Sequence, residues 1–94
     1  MVLPASVRVS DEVVSQLLGE EMILLNLKMG VYWGLNRTGA VIWQEIVRHG
    51  DVRKILTALR ERYDAPEEQI ASAVENLLAQ LLKERLVVTD GPAP

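Results

Sequence analysis

The chain has 94 residues, 49% of them hydrophobic, a formal net charge of −3 and no cysteine. A typical domain takes roughly 100–200 residues, so residues 1–94 read as a single domain with an ordered core over about residues 7–88, and the lack of thiols excludes disulfide scaffolding, thiolate catalysis and cysteine-ligated metal sites. The acidic total gives no field for a polyanion, no apolar run approaches the roughly 18 residues that cross a bilayer, and the opening Met-Val-Leu-Pro lacks an export signal; a cytoplasmic protein without a membrane partner is expected.

Residues 13–35 carry strand signals in three runs: Val13-Val14-Ser15-Gln16-Leu17-Leu18, Met22-Ile23-Leu24-Leu25-Asn26-Leu27 and Val31-Tyr32-Trp33-Gly34-Leu35. Gly19-Glu20 supplies a tight turn after the first run, and Lys28-Met29-Gly30 a three-residue loop after the second, which predicts an antiparallel meander. Val7-Arg8-Val9 offers a further short extended segment upstream. From Asn36 the apolar period becomes helical. Asn36 or Thr38 caps a first helix with Val41, Ile42, Trp43, Ile46 and Val47 on its stripe, and Gly50 stops it. Asp51 caps a second, in which Val52, Ile55, Leu56, Leu59 and Tyr63 recur at helical steps while Arg53, Lys54, Arg60 and Arg62 stay outside. Pro66 suits the first turn of a third, whose positive dipole end is complemented by Glu67 and Glu68 and whose negative end by Lys83 and Arg85.

The apolar residues of that third helix, Ile70, Val74, Leu77, Leu78, Leu81 and Leu82, spread over a face wider than one core contact needs, which predicts two packing surfaces. Leu86-Val87-Val88 reads as a short strand extending the edge of the fold, and Asp90 to Pro94 as a frayed tail. A three-stranded antiparallel sheet followed by three helices is α+β, with the outline of a winged helix-turn-helix.

Residues for catalysis are missing. His49 stands alone beside Gly50, where a helix C-terminus favours a cation, and takes part in no triad or metal-ligand spacing. Asp11-Glu12, Glu20-Glu21 and Glu67-Glu68 fall in turns or at a helix start, where capping and the dipole account for them. Gly30, Gly34 and Gly39 do not form a phosphate loop. No catalytic residue, metal site or cofactor is predicted, and the chain reads as a non-enzyme. The outline leaves a winged-helix DNA-binding regulator as an alternative. Against it, the third helix, which would enter the groove, carries Glu67, Glu68, Glu75 and Glu84 beside only Lys83 and Arg85, so no nucleic-acid partner is expected. The basic excess from Arg37 to Arg62 reads as solvated helix faces.

A meander leaves one edge of its third strand unpaired, and Val31 to Leu35 carries neither charge nor proline to blunt it. Alternation puts Val31, Trp33 and Leu35 on one face and Tyr32 and Gly34 on the other; which aromatic meets the core and which a groove stays open. Gly34 reads as a site of close backbone approach or as a bulge.

The run Leu24-Leu25-Asn26-Leu27-Lys28-Met29-Gly30-Val31-Tyr32-Trp33-Gly34-Leu35-Asn36-Arg37-Thr38-Gly39-Ala40-Val41-Ile42-Trp43 resembles the PqqD-like family, whose members show a leucine-rich strand, a glycine turn, an aromatic strand, Leu-Asn, Thr-Gly-Ala and an Ile-Trp pair. The resemblance implies a recognition element for ribosomally synthesised, post-translationally modified peptides. In such proteins the leader of the precursor pairs with the third strand and lies in a cleft between that strand and the third helix. Carried over by position, the peptide-binding residues are Val31, Tyr32, Trp33, Gly34 and Leu35, with Val74, Leu77, Leu78 and Leu81 on the helix. The implied partners are a precursor leader, with a leader peptidase and cyclase or another peptide-modifying enzyme. The chain looks more like the stand-alone proteins of lasso-peptide biosynthesis than like the chaperone of the pyrroloquinoline quinone pathway, with a PqqD-like chaperone in that or another modified-peptide pathway as the alternative. The pyrroloquinoline quinone protein tends to have Tyr-Pro-Glu-Gly before its third strand, where this sequence has Asn26-Leu27-Lys28-Met29-Gly30.

Overall fold

The structure, a computed structural model, describes residues 4–89; the tail read over Asp90 to Pro94 lies outside them. In chain order the elements are β1 (Val7–Val9), β2 (Val13–Leu18), β3 (Glu21–Asn26), β4 (Val31–Leu35), α1 (Arg37–His49), α2 (Val52–Arg62), α3 (Glu67–Lys83) and β5 (Val87–Thr89). β2, β3 and β4 form the antiparallel meander, with β3 in the middle and Asn26 opposite both Val13 and Val31. Gly19 and Gly30 turn its two corners at φ of 64° and 69°, a region that glycine enters at little cost.

The second corner spans Leu27 to Gly30, one residue more than the predicted loop. Asn26 accounts for the difference by ending the strand early. Its side-chain oxygen accepts from the N–H groups of Lys28 (3.0 Å) and Met29 (3.1 Å), while the Gly30 N–H donates to its carbonyl at 2.9 Å.

The helices begin on the caps that the sequence offers. The Asn36 Oδ1 accepts from the Gly39 N–H at 2.9 Å, and the Asp51 Oδ1 accepts from Arg53 and Lys54 at 2.9 and 3.3 Å. Among the strands α1 packs chiefly against β3, which gathers Ala40, Ile42, Trp43 and Ile46 into one cluster with Met22 and Leu24, and among the helices it packs against α2. α2 and α3 close the other side with Val52, Ile55, Leu59, Ile70, Val74, Leu78 and Leu81. Burial of a side chain such as Leu24 contributes about 1.5–3 kcal/mol. Arg53, Lys54, Arg60 and Arg62 are exposed, and Arg60 holds the start of α3 through Glu67 at 3.0 Å.

The short strand expected at Leu86-Val87-Val88 forms at Val87–Thr89 and stands apart from the meander. It pairs with β1 in a separate two-stranded sheet, Val9 opposite Val87. The way α3 ends gives the reason. The Leu86 N–H reaches back to the Leu81 carbonyl (2.9 Å) and the Arg85 N–H to that of Leu82 (3.1 Å), with Arg85 at φ 60°, so the chain reverses and drops Leu86 into the core. The upstream segment is pinned to the α1–α2 junction by Val7 N–H to Gly50 carbonyl (2.8 Å) and Val52 N–H to Ala5 carbonyl (3.0 Å).

Two stability changes follow, both readable from urea midpoints. A left-handed non-glycine residue costs about 1–2 kcal/mol and glycine loses back about 0.5–1 kcal/mol in the unfolded chain, so Arg85→Gly raises stability by roughly 0.5–1 kcal/mol. Asn26→Ala leaves two loop N–H groups without their acceptor and lowers stability by about 1–3 kcal/mol.

Candidate functional site

Opposed residues of an antiparallel ladder alternate between pairs that exchange hydrogen bonds and pairs that do not. The Leu27 N–H donates to the Glu12 carbonyl at 2.8 Å, and these two stand opposite each other in the register that pairs Val13 with Asn26. The bonded pairs of β2 and β3 are therefore Val14 with Leu25, Gln16 with Ile23 and Leu18 with Glu21. The backbones of Met22, Leu24 and Asn26 then point the other way, to Leu35, Trp33 and Val31. Tyr32 and Gly34 are left with N–H and C=O groups directed at the free edge of β4.

Side chains follow the same alternation. Trp33 and Leu35 sit on the face that also carries Met22 and Leu24 and are partly buried against the core, whereas Tyr32 stands on the outer face at 71% exposure. The question of which aromatic serves the core is thereby answered: Trp33. At Gly34 the ladder is continuous, so there is no bulge, and an added Cβ would meet only the Ile23 Cδ1 at 4.0 Å. Nothing among the described residues demands glycine there.

One group of exposed apolar side chains lies where β4 begins. Leu27, Met29, Val31 and Tyr32 are 60, 66, 42 and 71% exposed, in a stretch where a turn normally carries polar residues. Leu27 and Met29 lie outside the site expected from the sequence, and two large apolar side chains in a turn are the signal that marks them.

The third-helix candidates divide. Val74, Leu78 and Leu81 are 0, 1 and 2% exposed in the core, so in this chain they offer no surface to a peptide; the wide face of α3 is largely absorbed by packing against α2 and β5. Leu77 is only partly buried at its margin. One helical turn before Leu77, Ala73 lines a cavity of about 160 Å³ together with Thr38, Ile42, Tyr63, Gln69 and Ile70. This cavity lies among α1, α2 and α3 just past the end of β4, and sequence reasoning did not point to it because its lining comes from three separate helices.

Elsewhere the described residues place no three potential metal ligands together, and no helix is long and apolar enough to cross a membrane. The His49 Nε2 lies 3.5 Å from the Glu45 carboxylate near the end of α1, within its own helix.

No curated protein matches the chain. Among solved structures, one described as TbiB1 in complex with the TbiA(beta) leader peptide aligns with a TM-score of 0.81 at 28% identity, covering 93% of this chain and 99% of that one. Another, lasso peptide synthetase B1 complexed with the leader peptide, aligns at 0.78 with 23% identity over 89% of this chain and 99% of that one. The family model for coenzyme PQQ synthesis protein D matches residues 21–87, from the start of β3 to the start of β5. With its meander, its three helices and that match across most of its length, the chain belongs to the PqqD family.

Proposed function

We propose that the chain binds the leader segment of a ribosomally made precursor peptide as an added strand on β4 and presents it to processing enzymes. The observation that carries this is the bare edge of β4, where Tyr32 and Gly34 direct their backbone groups outward beside an apolar surface. Strand addition supplies affinity through main-chain hydrogen bonds. Selectivity comes from alternate leader side chains. Those on the inner side lie beside Val31, Trp33 and Leu35, and the partly buried Leu77 and Ala73 of α3 would form the facing wall. Val74, Leu78 and Leu81 serve by holding that wall in place from the core.

The similar solved structures, both described as leader-peptide complexes, support this reading. Lasso-peptide biosynthesis is favoured as the pathway, with a leader peptidase and a cyclase as the partners that do the chemistry. The chain itself acts in the cytoplasm as an adaptor that raises the effective concentration of substrate near them. The exposed Glu67 and Glu68 at the start of α3 oppose a DNA phosphate backbone, so the regulator reading gains nothing.

Calorimetric titration with the leader peptide should give saturable binding, and absence of binding at tens of micromolar would contradict the proposal. Two proline variants test the edge. Gly34→Pro removes an outward donor and no ladder bond, so the fold persists while leader affinity drops at least roughly tenfold. Trp33→Pro removes a donor to β3 and unfolds or strongly destabilises the sheet, as read by urea denaturation.

A further inference from the structure

β2 is the other outer strand of the meander, and its edge is as bare as that of β4: Val13 to Leu18 contains no charge and no proline. The alternation that turns Tyr32 and Gly34 outward on β4 turns Val13, Ser15 and Leu17 outward on β2. The Val13 N–H is used within the chain, donating to the Ser10 carbonyl at 3.1 Å, which leaves Ser15 and Leu17 as the donors of this edge. Val14, Leu17 and Leu18 are 48, 45 and 57% exposed, and Val47 on α1 is 62% exposed. Between strand and helix, Ser15, Met22, Trp43, Gln44, Val47 and Arg48 line an open groove of about 410 Å³. Trp43 is 1% exposed, yet its indole N–H has no acceptor among the described residues, a state that folded proteins rarely leave unexplained.

We infer that the β2 edge is a second strand-docking site, and that its occupant is an extended segment of another protein with an apolar middle and basic residues at both ends. Charge decides the occupant. β2 is bracketed by Asp11 and Glu12 on one side and by Glu20 and Glu21 on the other. A second copy of this chain meets that bracket badly. Two β2 strands paired about a two-fold axis use all their outward donors with Ser15 opposite Leu17, which sets Glu12 of each copy opposite Glu20 of the other, or with Ser15 opposite Ser15, which sets Glu12 opposite Leu18; in neither register does a second copy offer the acidic bracket a cation. Like charges directly opposed destabilise strand pairing, whereas lysine or arginine at those positions turns both repulsions into attractions. Lys28 and Arg37 approach Glu12 and Glu20 at 4.0 and 3.5 Å on exposed side chains, contacts weak enough for a partner to replace. Because β3 separates the two edges, one can be filled while the other is open, and the inference stands whether or not β4 takes a leader.

Nuclear magnetic resonance titration of the isotope-labelled chain tests it with two synthetic peptides, Lys-Val-Thr-Val-Thr-Val-Thr-Val-Lys and the same sequence with glutamate at both ends. The lysine-ended peptide should shift the Ser15 and Leu17 amides and the Trp43 indole signal, and bind roughly tenfold tighter than its acidic counterpart. Leu17→Pro, which removes an outward donor and no ladder bond, should weaken it roughly tenfold with the remaining spectrum intact. The double variant Glu12→Lys, Glu20→Lys should reverse the preference. No shift at Ser15 and Leu17 with millimolar peptide, or shifts confined to Tyr32 and Gly34, would overturn the inference. A dimer by sedimentation, with Ser15 and Leu17 protected in it, would overturn the assigned occupant.

Discussion

The packing of α1 against β3 sets what the rest of the molecule can offer. A helix is about 10 Å across and neighbouring strands lie about 4.8 Å apart, so one helix centred under the middle strand covers that strand and only part of each neighbour. The burial pattern follows this geometry. Met22, Leu24 and Asn26 of β3 are buried, Trp33 and Leu35 of β4 are partly covered, and Ser15 and Leu17 of β2 are exposed. A three-stranded sheet served by one helix therefore has two open edges, with the half-covered Trp33 and Leu35 beneath one and the exposed Ser15 and Leu17 beneath the other. In larger sheets further strands or helices cover such edges; here β1 and β5, which have the extended backbone to do so, pair with each other instead.

That diversion traces to a few residues. Arg85 in the left-handed region closes α3 with two backward hydrogen bonds and sends Val87–Thr89 toward β1, and β1 is in turn fastened to the turn between α1 and α2. The C-terminal strand thus closes the helical side of the fold and leaves the edges of the meander alone.

Much of this was readable in the sequence, because strands, turns and caps are local. Gly19 and Gly30 marked the corners, Asn36 and Asp51 the helix starts, and the uncharged run Val31 to Leu35 the bare edge. What could not be read was set by tertiary contacts. The sequence gives α3 a wide apolar face but not the neighbours that absorb it, so Val74, Leu78 and Leu81 looked available when they are interior. Trp33 and Tyr32 could not be told apart until the register against Leu24 and Leu25 assigned them to opposite faces. The destination of Val87–Thr89 depended on a left-handed arginine, a conformation that side-chain patterns favour only for glycine or asparagine.

Leader capture by the outward backbone groups of Tyr32 and Gly34 is tested most directly by hydrogen exchange of individual amides with and without leader peptide. Both amides should exchange rapidly in the free chain and become protected when the leader is bound, while the amides of Val31, Trp33 and Leu35, already bonded to β3, change little. Leader binding that leaves Tyr32 and Gly34 exchanging as before would contradict the account.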